Sequence, residues 1–462
     1  MATPAMTPQQ RLVLAVAVLG SFVAFLDSTI VNVALPAISR ELGGGLSTQQ
    51  WTVDAYLVTL GALILVAGAV SDAYGRILVL RIGLIGFGVA SVAVALAPDP
   101  IVLIVARALQ GAAGAFLVPS SLALITATMR DPVRARAIGL WTAMTTGATV
   151  VGPLIGGLMV DYLSWRFAFF VNVLPIAAGL VLLTRLDLPG DGVRAAGDRI
   201  DWLGAAMCTL GLGATVYALI EEPNFGWAAP QIWMPGTVGI LLLVGFVLRQ
   251  RVVAHPILPL GLFRSRTFSA GNIATFFVYA GLSLSGFVLA VYLQQGAGLS
   301  ATLAGLASLP ITILMIALSA RAGALAARWG PRVFMTVGPL IMAAGTLLLL
   351  TVSAEFDYWW QVLPSMLLFG LGLAFTVSPL TSAVLGAADP AQAGIASAVN
   401  NAVSRIAGLL PVAALAAITG GALDLAGFHR AAIVTATLLA IGGVVSLIGI
   451  RNEAPVQAAP RP

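Results

Sequence analysis

Gly68-Ala69-Val70-Ser71-Asp72-Ala73-Tyr74-Gly75-Arg76 follows one long apolar run, and Gly323-Ala324-Leu325-Ala326-Ala327-Arg328-Trp329-Gly330-Pro331-Arg332 follows another, eight runs later. A second pair keeps the same offset: Asp131-Pro132-Val133-Arg134-Ala135 is echoed by Asp389-Pro390-Ala391-Gln392-Ala393. Two short matches in one register imply a duplicated unit whose copies run in the same direction. Because the offset is eight runs, each copy holds six, and two further runs lie between them.

Counting outward from these stretches gives apolar runs at about 12–36, 51–70, 77–97, 101–127, 138–160 and 167–184, then 201–220 and 232–248. A last six follow at about 269–293, 302–321, 333–352, 361–386, 396–419 and 431–450. Each approaches the roughly 20 residues that cross a bilayer as a helix. The expected fold is therefore all-α and integral to the membrane, with fourteen transmembrane helices. Its units are an N-terminal six-helix bundle (1–186), two inserted helices (187–250), a linker (251–268), a C-terminal six-helix bundle (269–450) and a tail (451–462). The linker is read as non-spanning because His255-Pro256, Pro259 and the arginines at 249, 251, 264 and 266 interrupt it.

Composition agrees, with 59% hydrophobic residues, 9% charged residues and a mean hydropathy of +1.01, against about a quarter charged in soluble domains. All 23 basic residues are arginine. A Walker A loop needs a lysine at the phosphates, so this chain carries no such ATP site. One cysteine, Cys208, and two histidines exclude a disulfide framework or a zinc site. No GxSxG elbow or HExxH helix occurs. No enzyme activity, metal, organic cofactor or nucleic-acid partner is expected.

Arginine also predicts orientation, because positive residues in short loops remain cytoplasmic. With the N-terminus inside, sixteen loop arginines fall in the cytoplasm and only Arg40, Arg166 and Arg430 outside. Both termini are then cytoplasmic. The first run, which carries Asp27, is too long for a signal peptide and reads as an uncleaved helix.

Polar residues inside the runs are the functional candidates. Asp27 and Asn32 lie in Leu26-Asp27-Ser28-Thr29-Ile30-Val31-Asn32-Val33-Ala34-Leu35-Pro36, Arg107 and Gln110 in Arg107-Ala108-Leu109-Gln110-Gly111, and Arg405 in the thirteenth run. A carboxylate in a bilayer costs roughly 2.5–3.5 kcal/mol on insertion scales, which makes it a functional candidate by default. At 1.5 Å per residue, Asp27 and Arg107 lie about 13 and 10 Å from the outer ends of their helices. They are at a common depth, with Asp54 near the outer start of the second run as a third candidate. Desolvation favours a neutral carboxyl and an adjacent guanidinium favours the ionised one, a balance suited to carrying a proton. The alternatives are a helix-bridging Asp27, a fixed structural charge pair with Arg107, and an interfacial, solvated Asp54. In the fifth run, Gly152 and Gly156 share one helix face and admit a close neighbour, while Pro153 permits a kink.

These motifs resemble, in order and over nearly the whole chain, the fourteen-span drug:proton antiporter branch of the major facilitator superfamily. The resemblance implies proton coupling through Asp27 and Arg107, with Asp54 as a further candidate. It assigns Gly147, Gly152, Pro153, Gly156 and Gly157 to the antiporter motif, and Gly68, Asp72, Gly75 and Arg76 to the cytoplasmic gate. Asp72 is expected to meet the positive N-terminus of the eleventh helix and latch the outward-facing state. Ala73 and Ile77 depart from the basic residues usual there. Trp165, Arg166 and Asn172 also fit the branch, with an architectural role. Phe276, Phe277, Tyr279 and Phe287 offer either a substrate surface or packing. The implied function is export of an amphipathic drug or metabolite in exchange for protons, by a monomer in a bacterial plasma membrane, driven by the proton gradient. Proton-coupled uptake and a non-transporting receptor or lipid-binding scaffold remain the alternatives.

Overall fold

Apolar runs of this length satisfy their backbone hydrogen bonds internally as helices, and the chain is built from little else. The computed structural model describes residues 6–130, 132–186, 200–389 and 392–452, without the side chains of Asp72, Ala135, Val150 and Ala393. Among them are helices and turns but no strand. The segments are α1 (Pro8–Leu42), α2 (Gly45–Tyr74), α3 (Arg76–Ala95), α4 (Pro100–Thr128), α5 (Val133–Tyr162), α6 (Phe167–Leu183) and α7 (Trp202–Phe225). They continue as α8 (Pro230–Arg249), α9 (Arg266–Gln295), α10 (Ala301–Trp329), α11 (Pro331–Thr351), α12 (Tyr358–Gly386), α13 (Ala393–Ala413) and α14 (Leu425–Gly449).

Twelve of these are long and apolar enough to cross a membrane. The two that differ from the sequence expectation are α6 and α13. A turn at Val171–Asn172 divides α6 and shortens it. In α13, Asn400, Asn401, Ser404 and Arg405 dilute the apolar run. Both nevertheless pack within their six-helix sets, α6 against α1 and α3, α13 against α9, and α13 also reaches across to α2.

The duplication has a backbone signature. α2 ends at Gly75 (φ 94°, ψ 133°) and α3 starts at the next residue, while α10 ends at Gly330 (φ 84°, ψ 152°) and α11 starts at the next. That left-handed conformation carries no Cβ penalty only for glycine. Packing repeats as well. The pairs α1–α5, α2–α4, α3–α4 and α1–α6 have counterparts in α9–α13, α10–α12, α11–α12 and α9–α14. The second sequence echo lies partly outside the described residues, at 131 and 390–391.

The inserted helices α7 and α8 pack on each other, and α7 also packs on α2 and α13. At one end Glu221 accepts from Trp51 Nε1 (2.9 Å) and Ser47 Oγ (3.1 Å). At the other, Asp201 accepts from the Gly204 amide and from the side chains of Arg249 (2.8 Å) and Gln250 (2.9 Å). Gln250 Oε1 then holds the amide of Leu258 in the linker.

The starts of α1 and α9 and the ends of α2 and α10 define one face of the bundle, here the end face, opposite the far face. Near the far face the halves meet in three places: α5 against the start of α10, α2 against α13, and α1 against α9. Gln50 on α2 donates to the carbonyls of Val412 and Ala413, and Gln294 on α9 donates to Val33 O. Toward the end face, a Cβ added at Gly68, Gly139 or Gly394 would meet no atom within 4 Å. The seam between the halves is closed at the far face.

Candidate functional site

Asp27 is fully buried on α1, and Arg107, 1% exposed, approaches it from α4. Arg107 Nη1 donates to Asp27 Oδ2 at 2.6 Å and to Gln110 Oε1 at 2.6 Å, and Arg107 Nε donates to the Thr52 carbonyl of α2 at 2.8 Å. Its guanidinium lies over the Tyr56 ring, 4.4 Å from the centroid. The other carboxylate oxygen, Asp27 Oδ1, accepts from Gln110 Nε2 at 2.9 Å and Asn172 Nδ2 at 3.0 Å. Gln110 Nε2 also reaches Ser91 Oγ of α3 at 2.9 Å.

This cluster joins five elements. Arg107 and Gln110 are three residues apart and share one helix face; the adjacent Gly111 is required by close packing. A Cβ there would lie 2.2 Å from Tyr56 O. Asn172 comes from the turn that divides α6, and that turn lets a polar side chain enter an otherwise apolar bundle. A buried ion pair is tolerated when its remaining polar valences are filled, and here each carboxylate oxygen has at least two donors or a charged one. Should Asp27 become neutral, Arg107 keeps Gln110, Thr52 O and the Tyr56 face as partners. The pair is therefore not locked by the cost of leaving a bare guanidinium.

Asp54, the third candidate, stands apart from this cluster. It is fully buried on α2, on the face that bears Gln50, Leu57 and Gly61 and packs against α13, and neither carboxylate oxygen has a hydrogen-bond partner. Of the two sequence readings, a coupling candidate and a solvated interfacial residue, the packing of α13 removes solvation, since Asp54 is fully buried.

The glycines of α5 divide into two contacts. A Cβ at Gly152 would lie 2.1 Å from Thr29 Oγ1, and one at Gly156 would lie 2.6 Å from Ile30 Cγ1, both on α1. A Cβ at Gly157 would lie 2.6 Å from Ala301 O and Thr302 Cα of α10, and one at Gly305 of α10 would lie 2.4 Å from Pro153 O. Gly147 belongs to neither contact, with nothing within 4 Å. Beside this contact Asp161 accepts from the amides of Ala301 (3.0 Å) and Thr302 (2.7 Å), the first turn of α10. A carboxylate of one half thus caps a helix of the other, where the helix dipole favours it.

At the end face Gly75 and Arg76 form the turn between α2 and α3, while the side chain of Asp72 is outside the described residues. The expected contact of Asp72 with the N-terminus of α11 therefore lies outside the described residues. α2 packs along α13, with Gly61 beside Arg405 and Ile406. The N-terminus of α11 is engaged by Asn452, which accepts from the Arg332 amide (3.2 Å) and donates to Trp329 O (3.2 Å).

Arg166 pairs with Glu41 and donates to Ala97 O at 3.1 Å, and Trp165 Nε1 donates to Glu41 at 2.6 Å, so these two clamp the far end of α1 to the α3–α4 loop. Asn172, read as architectural, donates directly to Asp27. Asn32 on α1 faces Gly286 of α9. Ser91, Tyr56 and Asp161 escaped the sequence reading. Nothing in their spacing marks them, because each acts on another helix. Of the α9 aromatics, Phe287 is core and Phe276 and Phe277 pack edge to face.

The family model described as Major Facilitator Superfamily matches residues 17–412. The chain is 36% identical over 401 residues to the Puromycin resistance protein pur8 of Streptomyces alboniger, covering 86% of this chain and 79% of that one. It is 34% identical over 405 residues to the Methylenomycin A resistance protein of Bacillus subtilis, covering 87% and 86%. Among solved structures, a peptide transporter POT with sulfate superposes with a TM-score of 0.70 at 16% identity, over 95% of this chain and 93% of that one. A D-xylose-proton symporter superposes with 0.68 at 14% identity, over 96% and 98%. The duplicated helical halves, the match across 396 of the chain's residues (17 to 412) and these relatives agree, and the chain belongs to the Major Facilitator Superfamily as a multi-pass membrane transporter, not an enzyme.

Proposed function

We propose that the protein exports small amphipathic molecules from the bacterial cytoplasm in exchange for protons, by alternating access of two rocking bundles. The observation that carries this reading is the buried Asp27–Arg107 pair, held by Gln110 and Asn172. Such a group in a membrane interior marks a proton or ion path. Asp27 exchanges its counter-charge between Arg107 and a proton. Asp54, buried without a partner in the α2–α13 contact, is the second proton site and links protonation to the opening of that contact.

Direction and orientation have separate support. The relatives named for resistance to puromycin and methylenomycin A favour efflux. The arginine-rich loops favour assigning the end face, and both termini, to the cytoplasm. The closed far-face seam is then an inward-facing arrangement, with Asp161 and the α5 glycines sealing the outer side. The proton gradient is the energy source, and one copy of the chain suffices.

The test is proton movement in vesicles reconstituted with the purified protein under an imposed pH gradient, during challenge with lipophilic cations, antibiotics and lipids. Substrate-dependent proton efflux from acid-loaded vesicles, lost in Asp27→Asn, is expected. Uphill export undiminished in Asp27→Asn would remove Asp27 as the coupling site. Substrate and proton moving in the same direction would make the protein a symporter.

A further inference from the structure

Arg405 is a charge that the proton-coupling cluster does not use. It lies on α13 at the seam between the halves, half-buried, with its Cβ 3.3 Å from the position a Cβ would take at Gly61 of α2. Its guanidinium faces the Phe25 ring of α1 at 5.9 Å and lies within electrostatic reach of Tyr56 and of Tyr279 on α9. Two helices of the N-terminal half, α1 and α2, and one of the C-terminal half, α9, thus converge on it. Yet Arg405 Nε is buried with no hydrogen-bond partner, and among the described residues the guanidinium makes no ion pair.

An unneutralised cation within a bilayer is costly, and no acid among the described residues forms an ion pair with it. Asp27 is committed to Arg107, and Asp54 makes no hydrogen bond with Arg405 or any other group. Gly147 of α5 stands as far beyond Asp131 as Arg405 stands beyond Asp389, and it has nothing within 4 Å of an added Cβ. Two more uncommitted groups line the same seam. Asn32 borders Gly286, and the Tyr279 hydroxyl has no hydrogen bond. Phe25 offers a ring face beside the charge, and Tyr279 lies within its electrostatic reach. A fork of donors backed by aromatic surface is the chemistry that recognises an organic anion.

We propose that Arg405 is a substrate-recognising residue and that the cargo is an amphipathic organic acid, whose carboxylate or ionised hydroxyl supplies the counter-charge Arg405 lacks. This rests on the export reading for the word cargo. The binding claim is independent of it. Phe25 and Tyr279 hold the apolar body of the acid. Asn32, two turns further along α1, takes a second polar group at the outer end of the site.

The experiment is equilibrium binding to the full chain in phosphatidylcholine nanodiscs, which excludes anionic lipid as the source of the anion. The probes are naphthalene-2-carboxylate, anthracene-2-carboxylate, the amide of each, and naphthalene-2-methylammonium. At least one acid is expected to bind about tenfold or more tightly than its amide. Arg405→Gln should abolish that preference while leaving amide binding unchanged, and Arg405→Lys should keep most of it, which also shows that the fold survives substitution. Acid and amide binding alike, the ammonium binding best, no acid binding above empty nanodiscs, or an acid preference intact in Arg405→Gln would each overturn the proposal. A second arm adds phosphatidylglycerol to the nanodiscs. Loss of acid binding in proportion to that lipid would assign the site to lipid headgroups and overturn the cargo assignment. Proton-coupled transport of cations indifferent to Arg405→Gln would leave the export reading standing without this one. Arg405-dependent acid binding with no proton movement would do the reverse.

Discussion

Around Asp27, each residue has a separable task. Asn172 donates to the oxygen that Arg107 does not touch, and hydrogen bonds to charged groups contribute about 1.5–3 kcal/mol. Asn172→Ala is therefore expected to lower the melting temperature of the detergent-solubilised protein by several degrees. Asn172→Asp should be worse, since it brings a second acid against Asp27. Equal melting of Asn172→Ala and the parent would show that this hydrogen bond adds no stability. A different residue governs acid sensitivity. Burial pushes the Asp201 carboxyl up, but hydrogen bonds from the Gly204 amide, Arg249 and Gln250, together with the Arg249 charge, outweigh it and hold the group below the ordinary carboxylate value. Asp201 thus adds stability that is complete above the unfolded value near 3.9 and is lost as pH falls through the folded one. Melting measured from about pH 6 down to pH 3 should fall more steeply for the parent than for Asp201→Asn, which lacks that titration. Parallel curves would remove Asp201 from the acid response.

Between helices, the α5 glycines act where backbones touch. Gly157 faces α10 backbone at 2.6 Å and Gly147 faces open space, although both belong to one sequence motif. Gly157→Ala must move α10 or α5, since backbone cannot rotate away as a side chain can. Transport in reconstituted vesicles is expected to fall at least tenfold in Gly157→Ala and to stay within about twofold in Gly147→Ala, where the added methyl meets nothing. The reverse order would show that motif position, not contact, sets the effect. The two families of glycine look identical in sequence because the spacing reports which helix face is small, while the identity of the neighbour depends on tertiary packing.

Across the whole molecule, the far-face seal combines Asp161 of α5 against α10, Gln50 of α2 against α13 and Gln294 of α9 against α1. All three are polar contacts to main-chain groups of the opposite half. Such bonds can be broken and remade without burying an unpaired charge, as a rocking motion requires. Asp161→Ala removes the acceptor of two amides and a negative charge from beside the α10 N-terminus. It is expected to raise the labelling rate of a cysteine placed at Thr302 by a membrane-impermeant maleimide added from the far face, severalfold over the same cysteine with Asp161 present. An unchanged rate would mean that the glycine contacts alone hold the seam.

The sequence by itself determined the membrane class, the two six-run halves, the two inserted runs and the key charges. Apolar length and internal repetition are local, one-dimensional properties that a bilayer converts directly into helices. It also determined that Asp27 and Arg107 share a depth, because helical rise is fixed. What tertiary structure alone decided is lateral: which faces meet. It brought Asn172 to Asp27 and Ser91 to Gln110, buried Asp54 under α13 and left Arg405 without an ion pair among the described residues. It also set α13 rather than α11 along α2 and divided the α5 glycines between α1 and α10. Rotation and neighbour choice in a lipid-packed bundle come from side-chain fit summed over many helices, and no single run of sequence contains that sum.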